Sequence, residues 1–120
     1  MAASLYDRLG GEQRIRQLVA DAVDNHYANP LIKMRFEKIA DRATAERHLC
    51  EFFCAGSGGP QTYTGKDMLS AHRGMNINEQ ELVAAIDDVL AAMTKNGYGD
   101  AEKNEVVAVL YSLKGDVLRV

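Results

Sequence analysis

The chain has 120 residues, 47% of them hydrophobic and 26% charged, with a formal net charge of -3 and a pI near 5.6. Those values fit one globular domain with a single core, exclude a disordered chain, and argue against nucleic-acid or anionic-membrane binding through bulk charge. Aromatic residues are only 7%, with no Trp, and Pro occurs twice. The core must therefore come from Leu, Ile, Val, Ala and Met, which leaves open what fills the middle of so small a fold.

The N-terminal residues Met1 to Arg8 carry charge early and have no apolar run, unlike a secretory leader. No stretch approaches the roughly 20 apolar residues of a membrane span. Gly10-Gly11 interrupts the chain, and a helix is predicted over 12–28 with Ile15, Leu18, Val19, Ala22 and Val23 as its apolar stripe, continued by His26 or Tyr27. Pro30 ends that helix and a short turn runs to Phe36. Asp41 or Thr44 caps a helix reaching about residue 55, with the stripe Ala45, His48, Leu49, Phe52 and Phe53. Cys50 and Cys54 share one face of it, at the strained edge of disulfide geometry, and read as small packers rather than a redox pair. The default compartment is a reducing cytoplasm.

The run from Gly56 to Gly65 is long for a connection in so small a domain, and such loops are usually functional or wrap something. A short helix over 66–73 carries Met68, Leu69 and His72. Asn78 and Glu81 form a capping-box pattern before a helix over 78–96, striped with Leu82, Ala85, Ile86, Val89, Leu90 and Met93. The consecutive carboxylates Asp87 and Asp88 do not share a helix face and read as solvated surface. Gly97 and Gly99 separate this helix from a last one over 101–118, with Val106, Val109, Leu110, Leu113 and Val117 on one face. No segment alternates as a strand does, so the fold class is all-α.

Catalytic motifs are scarce: there is no phosphate loop, HExxH, GxSxG or CxxC. The three histidines are the remaining chemistry. His26 falls at the seam of its stripe and is expected to snorkel to water. His48 and His72 lie on apolar faces, where each is either a hydrogen-bonded core residue or a ligand. Two imidazoles aimed at one object suit iron or zinc. Zinc asks for three or four protein ligands, which cannot be assembled here. Haem iron needs one or two, because the porphyrin supplies the rest.

Several pieces occur in a recognisable order. They are Ser4-Leu5-Tyr6-Asp7-Arg8-Leu9-Gly10-Gly11, Pro30-Leu31-Ile32 with Phe36, Phe52-Phe53, Gly58-Gly59-Pro60, Tyr63-Thr64-Gly65, Met68 and Ala71-His72. In these the chain resembles the truncated haemoglobins, group I above all, from Ser4 to the last helix. The resemblance implies a two-over-two helical sandwich enclosing haem, in which helices near 12–28 and 42–55 cross helices near 78–96 and 101–118. It implies haem b, with His72 as the proximal iron ligand and Phe36 packed on the porphyrin. Leu49, Phe53, Tyr63, Met68, Ile77 and Ile86 would line the pocket. Nucleic acid and membranes are not expected partners, and a monomer is expected.

The departures from the family pattern bear on activity. Where the family commonly places Tyr facing the bound gas, this chain has Val23, with Tyr27 one turn later. Two positions that commonly hold Gln carry Ala45 and Leu49. Near them stands His48, where some group I members have a histidine that binds iron. The resemblance thus implies binding of diatomic gases (O2, NO, CO), with a bis-histidyl resting haem whose distal ligand His48 must leave. In the alternative geometry the iron is five-coordinate and His48 swings toward a haem propionate or solvent. The alternative activity is redox or nitric-oxide chemistry, as in an NO dioxygenase or peroxidase, served by an electron-donating reductase. Covalent haem attachment is not expected, since there is no CxxCH and no histidine in the last helix.

Overall fold

The computed structural model describes residues 3–120; Met1 and Ala2, where the reading of the N-terminus begins, lie outside the described residues. Within them the chain forms α1 (Leu5–Leu9), α2 (Gly11–Ala28), α3 (Lys33–Glu37), α4 (Arg42–Gly56), α5 (Met68–His72), α6 (Glu79–Lys95), α7 (Asp100–Ser112) and α8 (Lys114–Val117). The long helices agree with the apolar periodicity. The short α1 was not foreseen, because five residues are too few to show a period. It is specified by its ends: the Ser4 hydroxyl accepts from the Asp7 amide at 3.1 Å, and Gly10 closes the helix at φ +96°. Gly10 is required there both by that left-handed backbone and by space, since a Cβ would lie 2.4 Å from Cδ of Arg14.

Helix α2 is the centre of the molecule and packs on both α4 and α6. Its predicted stripe is its buried face, with Ile15 and Leu18 fully enclosed. Across it lie Val89, Ala92 and Met93 of α6 and Val106 of α7. Tyr98 is the one buried aromatic hydrocarbon ring in this core, and its hydroxyl donates to the Leu9 carbonyl, tying the α6–α7 turn to the α1–α2 turn. The core is aliphatic, as the composition requires.

Helix α4 has two working faces. Asp41, not Thr44, is its cap, accepting from the Thr44 amide at 3.1 Å and the Thr44 hydroxyl at 2.7 Å. The fully buried side belongs to Cys50 and Cys54, which join the core against α2. Burial and the neighbouring Cys50 push the Cys54 thiol up to about 12, so it packs as a protonated, unreactive group. The stripe Ala45, His48, Leu49, Phe52 and Phe53 is only half-buried. Within it, Leu49 and Phe53 pack against the edge of the core.

Asn78 and Glu81 form the expected capping box on α6, with each side chain bonded to the other's backbone amide at 2.8 and 3.2 Å. The expected helix over 66–73 is shorter, five residues opened by Asp67. The expected continuous helix over 101–118 is corrected. It breaks at Leu113, and α8 turns the chain back toward residues 74–77. Backbone pairing explains the break: the amides of Gly74 and Asn76 donate to the Val120 carbonyl, and that of Arg119 donates to Ile77. A helix running on to Leu118 would forgo these bonds. Their effect is to moor the segment that follows α5.

Candidate functional site

The segment between α4 and α6 is held by a few specific bonds. The Ser57 hydroxyl donates to the carbonyls of Phe53 and Cys54 at the end of α4. Gly59 passes against the Tyr6 ring, where a Cβ would meet ring carbons at 2.6 Å, and the Gln61 amide donates to the Tyr6 hydroxyl at 3.0 Å. Thr64 donates from its amide and hydroxyl to one oxygen of Glu51, at 2.9 and 2.7 Å. The Tyr63 hydroxyl donates to the Lys66 carbonyl, and its ring lies so close over Gly65 that a Cβ would sit 2.6 Å from Cζ. Tyr-Thr-Gly is therefore a folded unit: the Thr anchors it to α4, and the Gly admits the Tyr ring.

This loop delivers α5. The Asp67 carboxylate accepts from the Ser70 amide, and the helix places His72 in its last turn. Nδ1 of His72 donates to the Met68 carbonyl at 2.8 Å. A carbonyl can only accept, so in the neutral ring this bond selects the tautomer with the proton on Nδ1 and the lone pair on Nε2. A carbonyl bonded to one imidazole nitrogen is also what orients and enriches the other nitrogen as a metal ligand.

Helix α4 brings His48 to the same loop. Its ring meets Tyr63 edge-on with centroids 6.4 Å apart, Phe52 meets Tyr63 at 5.6 Å, and Phe53 meets Phe52 at 6.2 Å. Phe36 is set from α2: the Tyr27 hydroxyl donates to the Phe36 carbonyl at 3.0 Å, and the His26 ring stacks on Phe36 at 4.6 Å and 16°. Tyr27 is thus committed to holding α3, with Arg42 over its ring at 5.0 Å, while Val23 is buried in the α2 stripe. Of the two positions, Val23 has no hydroxyl and the Tyr27 hydroxyl is taken by the Phe36 carbonyl.

All the sequence-predicted pocket residues, His72, His48, Phe36, Leu49, Phe53, Tyr63, Met68, Ile77 and Ile86, are half-buried rather than enclosed in the core. The structure joins Tyr63 with His48, Met68 with His72, and Phe36 with α2. It records no hydrogen bond or ring contact between His48 and His72. Among the described residues no three His, Cys, Asp or Glu side chains cluster as a metal site made by the protein alone. The donors on offer are two separate imidazoles, His48 against the Tyr63 ring and His72 bonded to the Met68 carbonyl.

Two expectations are corrected. His26 does not snorkel to water: it is 7% exposed, and its Nδ1 donates to Oδ2 of Asp88 at 2.8 Å. Asp88 is not solvated surface: its side chain is 14% exposed and also accepts from Asn29 Nδ2 at 3.1 and 3.2 Å. Nothing local in the sequence pairs residues so far apart. The one available signal was the cluster Asn25, His26 and Asn29 at the end of an apolar stripe, which needs a partner on another helix.

The comparisons agree with this geometry. The profile of the bacterial-like globins matches residues 4–119. A group 1 truncated hemoglobin of Tetrahymena pyriformis is 30% identical over 115 residues, spanning 96% of this chain and 94% of that protein. The group 1 truncated hemoglobin GlbN of Mycolicibacterium paratuberculosis is 26% identical, spanning 96% and 84%. The crystal structure of the Tetrahymena pyriformis protein in its Fe(III) form superposes with a TM-score of 0.94 at 29% identity, covering 98% of this chain and 100% of that one. Its helices therefore build the two-over-two sandwich, and the chain belongs to the bacterial-like globin family as a group 1 truncated hemoglobin.

Proposed function

We propose that the chain binds haem b non-covalently between α4 and α5, holds the iron at rest through His72 and His48, and takes diatomic gases when His48 leaves. The observation that carries this reading is the Nδ1 bond from His72 to the Met68 carbonyl, which leaves Nε2 as an oriented, unprotonated donor. The donor set fits the group: two imidazoles suffice when a macrocycle supplies the other ligands, and half-buried apolar side chains, Phe36, Leu49, Phe53, Met68, Ile77 and Ile86, are available as its wall. When bound, haem supplies an iron that takes O2, NO or CO and exchanges electrons. Phe36 would pack on it, with Leu49, Phe53, Tyr63, Met68, Ile77 and Ile86 as the remaining wall.

The distal side is poor in hydrogen-bond donors. Val23, Ala45 and Leu49 have none, and the hydroxyls of Tyr27 and Tyr63 are spent on the carbonyls of Phe36 and Lys66. His48 is the imidazole left to serve there, either as ligand or, once displaced, as donor to a polar gas. Poor retention of O2 favours a second reading, redox or nitric-oxide chemistry rather than O2 carriage. A reductase would supply the electrons to the protein, acting as a monomer. The two free, buried thiols suit a reducing compartment, and we place the protein in the cytoplasm.

The ferric absorption spectrum tests the resting ligation. Wild type is expected to be low-spin, and His48→Leu high-spin, with faster gas binding. A high-spin wild type unchanged by the substitution contradicts bis-histidyl ligation. Nitrate formed when aerated ferrous protein meets nitric oxide decides between the two activities.

A further inference from the structure

Behind Phe36 lies a partly buried polar assembly that the proposed gas chemistry does not use. It draws on three helices. From α2, His26 stacks flat on Phe36 of α3, with centroids 4.6 Å apart. From α6, the Asp88 carboxylate accepts from His26 Nδ1 at 2.8 Å and from Asn29 Nδ2. The Asp88 carbonyl accepts from Asn25 Nδ2 at 3.0 Å. No group among the described residues bonds His26 Nε2. We propose that His26 is a positioning residue for the pocket: its neutral ring, oriented by Asp88, fixes Phe36, and protonation at Nε2 frees Phe36 and loosens haem on acidification. This rests on the reading above that Phe36 packs on haem.

The charges around the ring are few. Asp88 faces it from α6, and Phe36 from α3 is uncharged. On α2 itself, Asn25 and Asn29 are neutral and turned to Asp88. The neighbouring cations are engaged elsewhere: Arg35 pairs with Glu81 and donates to the Met75 carbonyl, and Arg42 pairs with Asp24 and Glu46. Burial holds the imidazole below its ordinary value, and the bond and charge of Asp88 only partly oppose this. Since the folded value lies below the unfolded one, the unfolded chain takes the proton first. The stability of the neutral pair is thus complete above about pH 6.5 and is lost as pH falls below it.

The test is haem transfer from the loaded protein to excess apomyoglobin, followed from about pH 7.5 to about pH 5, across the ordinary histidine range. Wild type, His26→Phe and Asp88→Asn are compared. His26→Phe keeps a ring on Phe36 and cannot titrate. Wild-type transfer is expected to accelerate with one-proton dependence, up to about tenfold per pH unit. His26→Phe is expected to lack that step, and in Asp88→Asn, without the carboxylate that supports the proton, it should move to lower pH. Acid effects that do not involve His26 are common to all three and cancel. An acid step of equal size and midpoint in all three overturns the proposal. A purely structural role would shift urea stability at every pH and leave the transfer profile unchanged. A wild type that takes up no haem overturns the proposed function instead. The clamp is then read by NMR: Phe36 ring resonances must move with the His26 titration, and resonances that ignore it overturn the clamp itself.

Discussion

His72→Gly is expected to lower haem affinity by about 100-fold or more, beyond the roughly 10–100-fold seen when only a ligand's outer partner is lost. Removal of the ring takes away the one imidazole whose tautomer the structure fixes for ligation, through the Met68 carbonyl. His48 alone would remain, on a helix that orients it only by ring contact with Tyr63. The apoprotein should hardly notice. His72 is half-buried, and its hydrogen bond is internal to a five-residue helix, so stability should change by less than about 1 kcal/mol. Soret titration with haemin measures the first effect, and urea unfolding of the apoprotein measures the second. Added imidazole should restore part of the haem binding, because the cavity left by the ring accepts the free ligand.

Leu18→Ala is expected to cost about 2–5 kcal/mol, the range for truncating an enclosed Leu. Leu18 is 0% exposed and sits on the α2 stripe that α4 and α6 both cover. Against a total of about 5–15 kcal/mol for a domain, that loss is large. Val83→Ala, at a position 55% exposed, should change stability by less than about 0.5 kcal/mol. The midpoint of urea unfolding with unchanged slope gives both values. A small effect at Leu18 would mean that the α2 stripe is not the core.

The long helices were legible in the sequence because each carries many turns of one apolar period and its own terminal signals. Asn78 with Glu81 and Gly10 at a left-handed turn are local statements, readable without the fold. The C-terminal break was not, because Leu113 to Val117 continues a helical stripe. What overrides it is long-range pairing of Arg119 and Val120 with residues 74–77. The face of α4 was half legible. Its aromatic and histidine stripe follows from the period and its cysteines are the packers expected; that they form the more enclosed side needs the fold, since small residues fit where α4 meets α2. His26 and Asp88 are legible only together: a buried imidazole and a half-buried carboxylate are each costly alone and acceptable as a pair, and the partners lie on different helices. The loop around Tyr63 was recognisable by motif, while the reason for the motif, a ring folded over Gly65, needed coordinates.

The central claim is that haem completes this aromatic-poor fold between His72 and His48. Haemin titration of the purified protein, followed by absorption and by acid-acetone extraction, tests it most directly. Saturation is expected at one haem per chain, with a low-spin ferric spectrum and complete extraction of the haem into the organic phase. A chain that gives no saturable Soret band would contradict it.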